Sequence, residues 1–101
     1  MKKCCYDFLM DQFGDQDVIK EIYQEYASSI VEKLAEAEVA LQANDWTALD
    51  RVAHAVKGNA LATGDNDVAN AAIALRMAAK LMDKDDASLN LDKLKEQAKE
   101  I

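Results

Sequence analysis

Residues 19–41, IKEIYQEYASSIVEKLAEAEVAL, place Ile19, Ile22, Tyr23, Tyr26, Ile30, Leu34, Ala37 and Leu41 three and four positions apart. A half-buried strand would alternate every second residue; this spacing draws one apolar stripe along a helix of about seven turns. Asp15 or Asp17 is placed to cap its start, and Asn44 or Asp45 ends it and caps the next helix. Upstream, a short helix over Cys5 to Gln12 stops at Gly14. Downstream, Trp46, Leu49, Val52, Ala53, Val56 and Ala60 share one side of a third helix that Gly64 closes. Asp65 or Asn66 starts a fourth. Residues 68 to 82 are almost wholly apolar or small, as in an interior helix, and Met82-Asp83-Lys84-Asp85-Asp86 breaks it. Ser88 is placed to cap a last helix bearing Leu91, Leu94, Ala98 and Ile101.

The composition agrees with helix throughout. There is no proline, there are three glycines, and 18 of the 101 residues are alanine, the best helix former. Four main helices on short links favour antiparallel neighbours. The fold expected is therefore all-α: an antiparallel up-down-up-down four-helix bundle with a short extra N-terminal helix, one domain over residues 1–101.

Composition also excludes. A net charge of −7 argues against general nucleic-acid binding, which needs an excess of Lys and Arg. The longest apolar run, Ala71 to Leu75, is far short of the roughly 20 residues of a membrane span. Lys2 and Lys3 lead into no apolar segment of a secretory signal, and the start at Met1 leans toward a free-standing protein. Cys4 and Cys5 are neighbours, neither a C-x-x-C pair nor a disulfide framework; they read as buried or half-buried free thiols in a reducing cytoplasm. With one histidine and no phosphate-cradling glycine loop, no metal site is expected.

That histidine, His54, lies roughly 130° around its helix from the centre of the apolar arc, at about 100° per residue, and so faces water. Gly58 follows one turn later on the same face and Leu61 close to that line. Lys57 flanks His54 on the side nearer the core. A mid-helix glycine costs about 1 kcal/mol relative to alanine. Two uses would offset that: admitting a partner to the imidazole, or relieving crowding between helices. Residues 51 to 64 hold Arg51 and Lys57 and no acid, so the only histidine of an acidic chain sits in a cationic segment. An exposed imidazole is a nucleophile toward phosphorus, and a nearby ammonium suits phosphate oxygens.

The run Ala53-His54-Ala55-Val56-Lys57-Gly58-Asn59-Ala60, followed by Gly64, Val68, Ala71 and Leu75, resembles the signature of histidine-containing phosphotransfer (HPt) domains. That signature is A-H-x-hydrophobic-K-G-x-A with a second glycine six positions after the first. Asn44-Asp45-Trp46 and Leu49 resemble the turn and helix start before it, and the likeness covers about residues 15 to 82. It implies a phosphorelay protein in which His54 accepts a phosphoryl group from a receiver-domain aspartyl phosphate and passes it to another receiver. Lys57 balances the phosphate charge and Gly58 opens the surface. Arg51, Ala55, Gly58, Asn59, Leu61 and Ala62 form the docking surface. The implied partners are response-regulator receivers and a hybrid sensor histidine kinase. Mg²⁺ sits on the receiver only, so the chain needs no cofactor, and a monomer is expected. There is no independent catalytic machinery. The chain departs from the pattern at Asn59, where Ser or Ala is usual, and at Arg76, where an acid often follows the leucine. A rival reading is a helical module that binds and inhibits a receiver or kinase without carrying phosphate.

Overall fold

The computed structural model describes all 101 residues, as five helices and no strand. They are α1 (Lys3–Phe13), α2 (Gln16–Gln42), α3 (Trp46–Thr63), α4 (Asn66–Lys80) and α5 (Lys84–Ala98). The 27 residues of α2 span about 40 Å at 1.5 Å per residue, which accounts for the 42 Å long axis of the molecule.

All four links use one device. A residue with left-handed backbone ends a helix, and the aspartate after it caps the next. The pairs are Gly14 (φ 67°) with Asp15, Asn44 (φ 54°) with Asp45, Gly64 (φ 78°) with Asp65 and Met82 (φ 53°) with Asp83. Each carboxylate accepts a hydrogen bond from a backbone N–H two or three residues on, satisfying a donor the helix leaves orphaned. In the last three links the aspartate N–H also donates back five residues, from Asp45 to Ala40, Asp65 to Ala60 and Asp83 to Ala78.

The boundaries correct the sequence reading in places. Helix α1 is longer than expected at both ends. Helix α5 starts at Lys84, capped by Asp83 and not by Ser88. Asp85 and Asp86, read as part of a break, fall in the first turn, where negative side chains complement the helix dipole.

Contacts run from α2 to α3, α3 to α4, α4 to α5, and α5 back to α2, with α1 against α2 and α3. The enclosed core holds Ile30, Leu49, Val56, Val68, Leu75, Leu91 and Leu94 among small alanines. The stripe of α2 faces inward as read, with Tyr23, Tyr26, Ile30, Ala37 and Leu41 buried. Helix α4 is one-sided rather than interior. Val68, Ala69, Ala72, Leu75, Ala78 and Ala79 are buried, while Ile73 and Met77, and Leu81 and Met82 just beyond its end, are exposed. Its apolar composition on all sides hid a burial pattern that only its two neighbouring helices decide.

Polar bonds fix the helices in register. Asn59 of α3 donates to Ser29 of α2 (3.0 Å), and Arg76 of α4 to Asp50 of α3 (2.9 Å). The Lys84 ammonium donates to the Leu41 carbonyl and the Asn44 side chain at the end of α2. Lys95 of α5 bonds Glu38 of α2 at 2.7 Å and holds that carboxyl below the usual carboxylate range. No helix is long and apolar enough to cross a membrane.

Candidate functional site

His54 stands in the middle of α3 with its side chain exposed, as its angular position requires. The hydrogen bonds of the side chains around it run from Asn59 to Ser29, from Thr63 to the Asn59 carbonyl and from Arg76 to Asp50; none involves the imidazole. Both ring nitrogens are therefore free of protein partners. The helix holds the ring out because Ala53 and Val56, on either side of it in sequence, are buried against the core.

Gly58, one turn on, is exposed, and a methyl group built on it would meet no atom within 4 Å beyond its chain neighbours and the backbone of its own helix. Relief of crowding between helices is thus removed as the reason for this glycine. What its missing side chain leaves is open surface beside the imidazole. Gly64 is different: its backbone is left-handed and a side chain there would collide with Phe8 of α1. Its role is to end α3 and seat α1.

Lys57 is half-buried and Arg51 exposed, and neither takes part in an ion pair. Two unspent cations flank the imidazole along α3. Leu61 and Ala62 are exposed and Ala55 half-buried. Arg51 and Ala55 line a groove of about 620 Å³ against α2, together with Lys33, Glu36 and Val39. Ala62 and Asn59 line a smaller one of about 310 Å³ with Ile22 and Glu25. The Asn59 side chain bonds to Ser29, so it braces α3 on α2 and is not free at the surface or turned to its own backbone.

Two polar features were not read from the sequence. Asp65, fully buried, accepts from Lys2 (2.9 and 3.1 Å), from the Tyr26 hydroxyl (2.9 Å) and from the Val68 N–H (3.3 Å). Partners 63 residues apart leave no periodic signal; the visible hint was only that Asp65 caps α4. The other feature is the Asp50–Arg76 pair beside the site.

The sulfurs of Cys4 and Cys5 and a carboxylate oxygen of Asp65 lie within 4.8 Å of one another. They fit a cation poorly. Asp65 is already saturated by its donors, and burial, then the Asp65 charge, pushes the Cys5 thiol from 9.0 up to about 12, away from the thiolate a metal needs. Cys5 is buried and Cys4 exposed, both as free thiols.

The profile of the Hpt domain family matches residues 21–101, four-fifths of the chain and all of the His54 surface, and the chain belongs to that family. Such domains carry phosphoryl groups in two-component signalling, exchanging them with receiver domains and kinases. No curated protein and no solved structure matches.

Proposed function

We propose that His54 is the phosphoryl acceptor of a two-component phosphorelay, taking the group from the aspartyl phosphate of one receiver domain and passing it to the aspartate of another. The observation that carries this is an outward imidazole with bare backbone one turn away and an unpaired ammonium at Lys57. The lone pair of a neutral ring nitrogen attacks phosphorus in line. A nitrogen–phosphorus bond forms as the bond from phosphorus to the aspartyl oxygen breaks, and the carboxylate leaves with the electron pair. The ring's new positive charge is relieved when the other nitrogen releases its proton to water. Handing the group on reverses these events with a second carboxylate as nucleophile.

Such a transition state asks chiefly for positioning and for charge to meet the equatorial oxygens. Lys57 supplies a point charge, and Gly58 lets the partner approach. Mg²⁺ and the acidic pocket belong to the receiver, so this chain acts as a carrier without catalytic machinery of its own. Leu61, Ala62, Ala55 and Arg51 form the surrounding contact surface. A hybrid sensor kinase stands upstream.

The scaffold of this reading is one domain over residues 1–101: α2 to α5 run up-down-up-down, with α1 as the additional N-terminal helix, and the chain works as a monomer. Paired residues support that order. Ser29 and Asn59 are nearly symmetric about the Asn44 turn, and Asp50 and Arg76 about the Gly64 turn. Lys84 meets the end of α2, while the Ile101 carbonyl accepts from Tyr23 near its start.

The test is incubation with a panel of phosphorylated receiver domains. The wild type acquires an acid-labile, base-stable label; His54→Gln keeps its helical circular dichroism and acquires none. A labelled His54→Gln protein would refute the assignment. A wild type that binds receivers yet is never labelled would establish the non-phosphorylated interaction module instead.

A further inference from the structure

We propose that Arg76 is a positioning residue for transfer at His54: it holds and masks Asp50, the one carboxylate within α3 and one turn from the imidazole. The inference rests on the phosphotransfer reading of His54. Asp50 is the only acid among the 18 residues of α3. It lies four residues before His54, where side chains on a helix are neighbours about 5–6 Å apart at Cβ. Left alone, its charge opposes every phosphoryl oxygen that arrives at the ring.

The structure gives that charge a partner from the next helix. Arg76 Nε donates to Asp50 Oδ1 at 2.9 Å, with the two side chains 23% and 31% exposed. Both are withdrawn from most of the solvent that would otherwise screen them. A pair this close to the surface adds little stability. Its placement matters more, because it draws the carboxylate toward α4 and cancels its field beside the nucleophile. The remaining charges near this part of α3 are Arg51 and Lys57 on α3 itself, and Lys80 and the α3 cap Asp45, which share a groove with Asp50. Across α2 stand Lys33 and Glu36, which line the groove with Arg51. Glu36 is paired with Lys33 on α2 itself, and Asp45, nine residues before the imidazole, accepts from the Ala48 N–H; Asp50 alone is an acid one turn from His54, and its partner comes from another helix.

The full chain is assayed for transfer from a phosphorylated receiver. Arg76→Gln unmasks Asp50, slows transfer to His54 by about fivefold or more, and shifts the phosphoryl equilibrium toward the receiver. Arg76→Lys, which keeps the charge, restores most of the rate. Asp50→Asn combined with Arg76→Gln restores it too, because no charge is left to mask. In about 1 M salt the Arg76→Gln defect shrinks, since the screening length falls to about 3 Å. Wild-type rates for Arg76→Gln would overturn the inference. So would a double variant as slow as Arg76→Gln, or a defect indifferent to salt, since either would make Arg76 a packing or docking residue. Should Arg76→Gln fail to fold, Asp50→Asn alone decides: the inference predicts faster transfer, and slower transfer overturns it. His54→Gln run in parallel separates the failures. Label on it removes the phosphotransfer reading itself, whereas an unlabelled His54→Gln beside an unimpaired Arg76→Gln removes only the role of Arg76.

Discussion

At the scale of single residues, Gly58 carries the sharpest contrast between stability and use. It has room for a side chain and lacks one, although alanine would favour the helix by about 1 kcal/mol. Gly58→Ala is therefore expected to raise stability by about 0.5–1 kcal/mol, read as a higher urea midpoint. Gly58→Glu is expected to keep the helical signal and block transfer, because a long, negative side chain then occupies the approach to His54. Destabilisation by the alanine, or undiminished transfer with the glutamate, would remove the account of this position. The sequence showed His54 and Gly58 on one face, with Lys57 flanking them toward the core, because a helix converts spacing directly into angle. It did not show where Asn59 and Arg76 point, since both are decided by partners on other helices, Ser29 and Asp50.

At the scale of the helices, the links are where local sequence decides most. Three of the four left-handed positions are glycine or asparagine, the residues that tolerate that backbone; the fourth is Met82. Left-handed backbone costs an ordinary residue about 1–2 kcal/mol. Met82→Gly should relieve much of it and raise stability by about 1 kcal/mol, offset slightly by the greater freedom of glycine in the unfolded chain. Asp83→Ala should lower stability by about 1 kcal/mol through loss of the α5 cap. Urea unfolding of both variants tests this, and an unchanged midpoint for Asp83→Ala would return the start of α5 to Ser88. The glycine and asparagine links were legible because their residue types announce the backbone they adopt. The Met82 link was not, as methionine announces nothing, and the acids after it read as a solvated break.

At the scale of the whole molecule, Cys5 couples the seam of α1 to pH. In the fold it holds its proton up to about 12, against 9.0 when unconstrained, because burial disfavours the thiolate and Asp65 repels it. Above about pH 9 the unfolded chain releases that proton while the folded chain keeps it, so rising pH favours unfolding. Stability is complete below that point and declines as pH rises toward the folded value. Tyr26 and Tyr23, also raised chiefly by burial, add to the decline at higher pH. Urea midpoints measured from about pH 8 to about pH 10 should fall for the wild type and fall less for Cys5→Ala. Equal slopes would contradict this assignment. Nothing periodic in the sequence announced the buried cluster of Lys2, Tyr26 and Asp65, because its members come from the N-terminus, from α2 and from the link before α4, and meet only once the chain is folded.

The central claim is that a single exposed imidazole carries the phosphoryl group. Mapping the phosphorylated residue on the wild-type chain, after incubation with phosphorylated receivers and under alkaline conditions that preserve phosphohistidine, tests it most directly. The account predicts the group on His54 alone. A phosphoryl group on any other side chain, or none from any receiver of the same source, would contradict it.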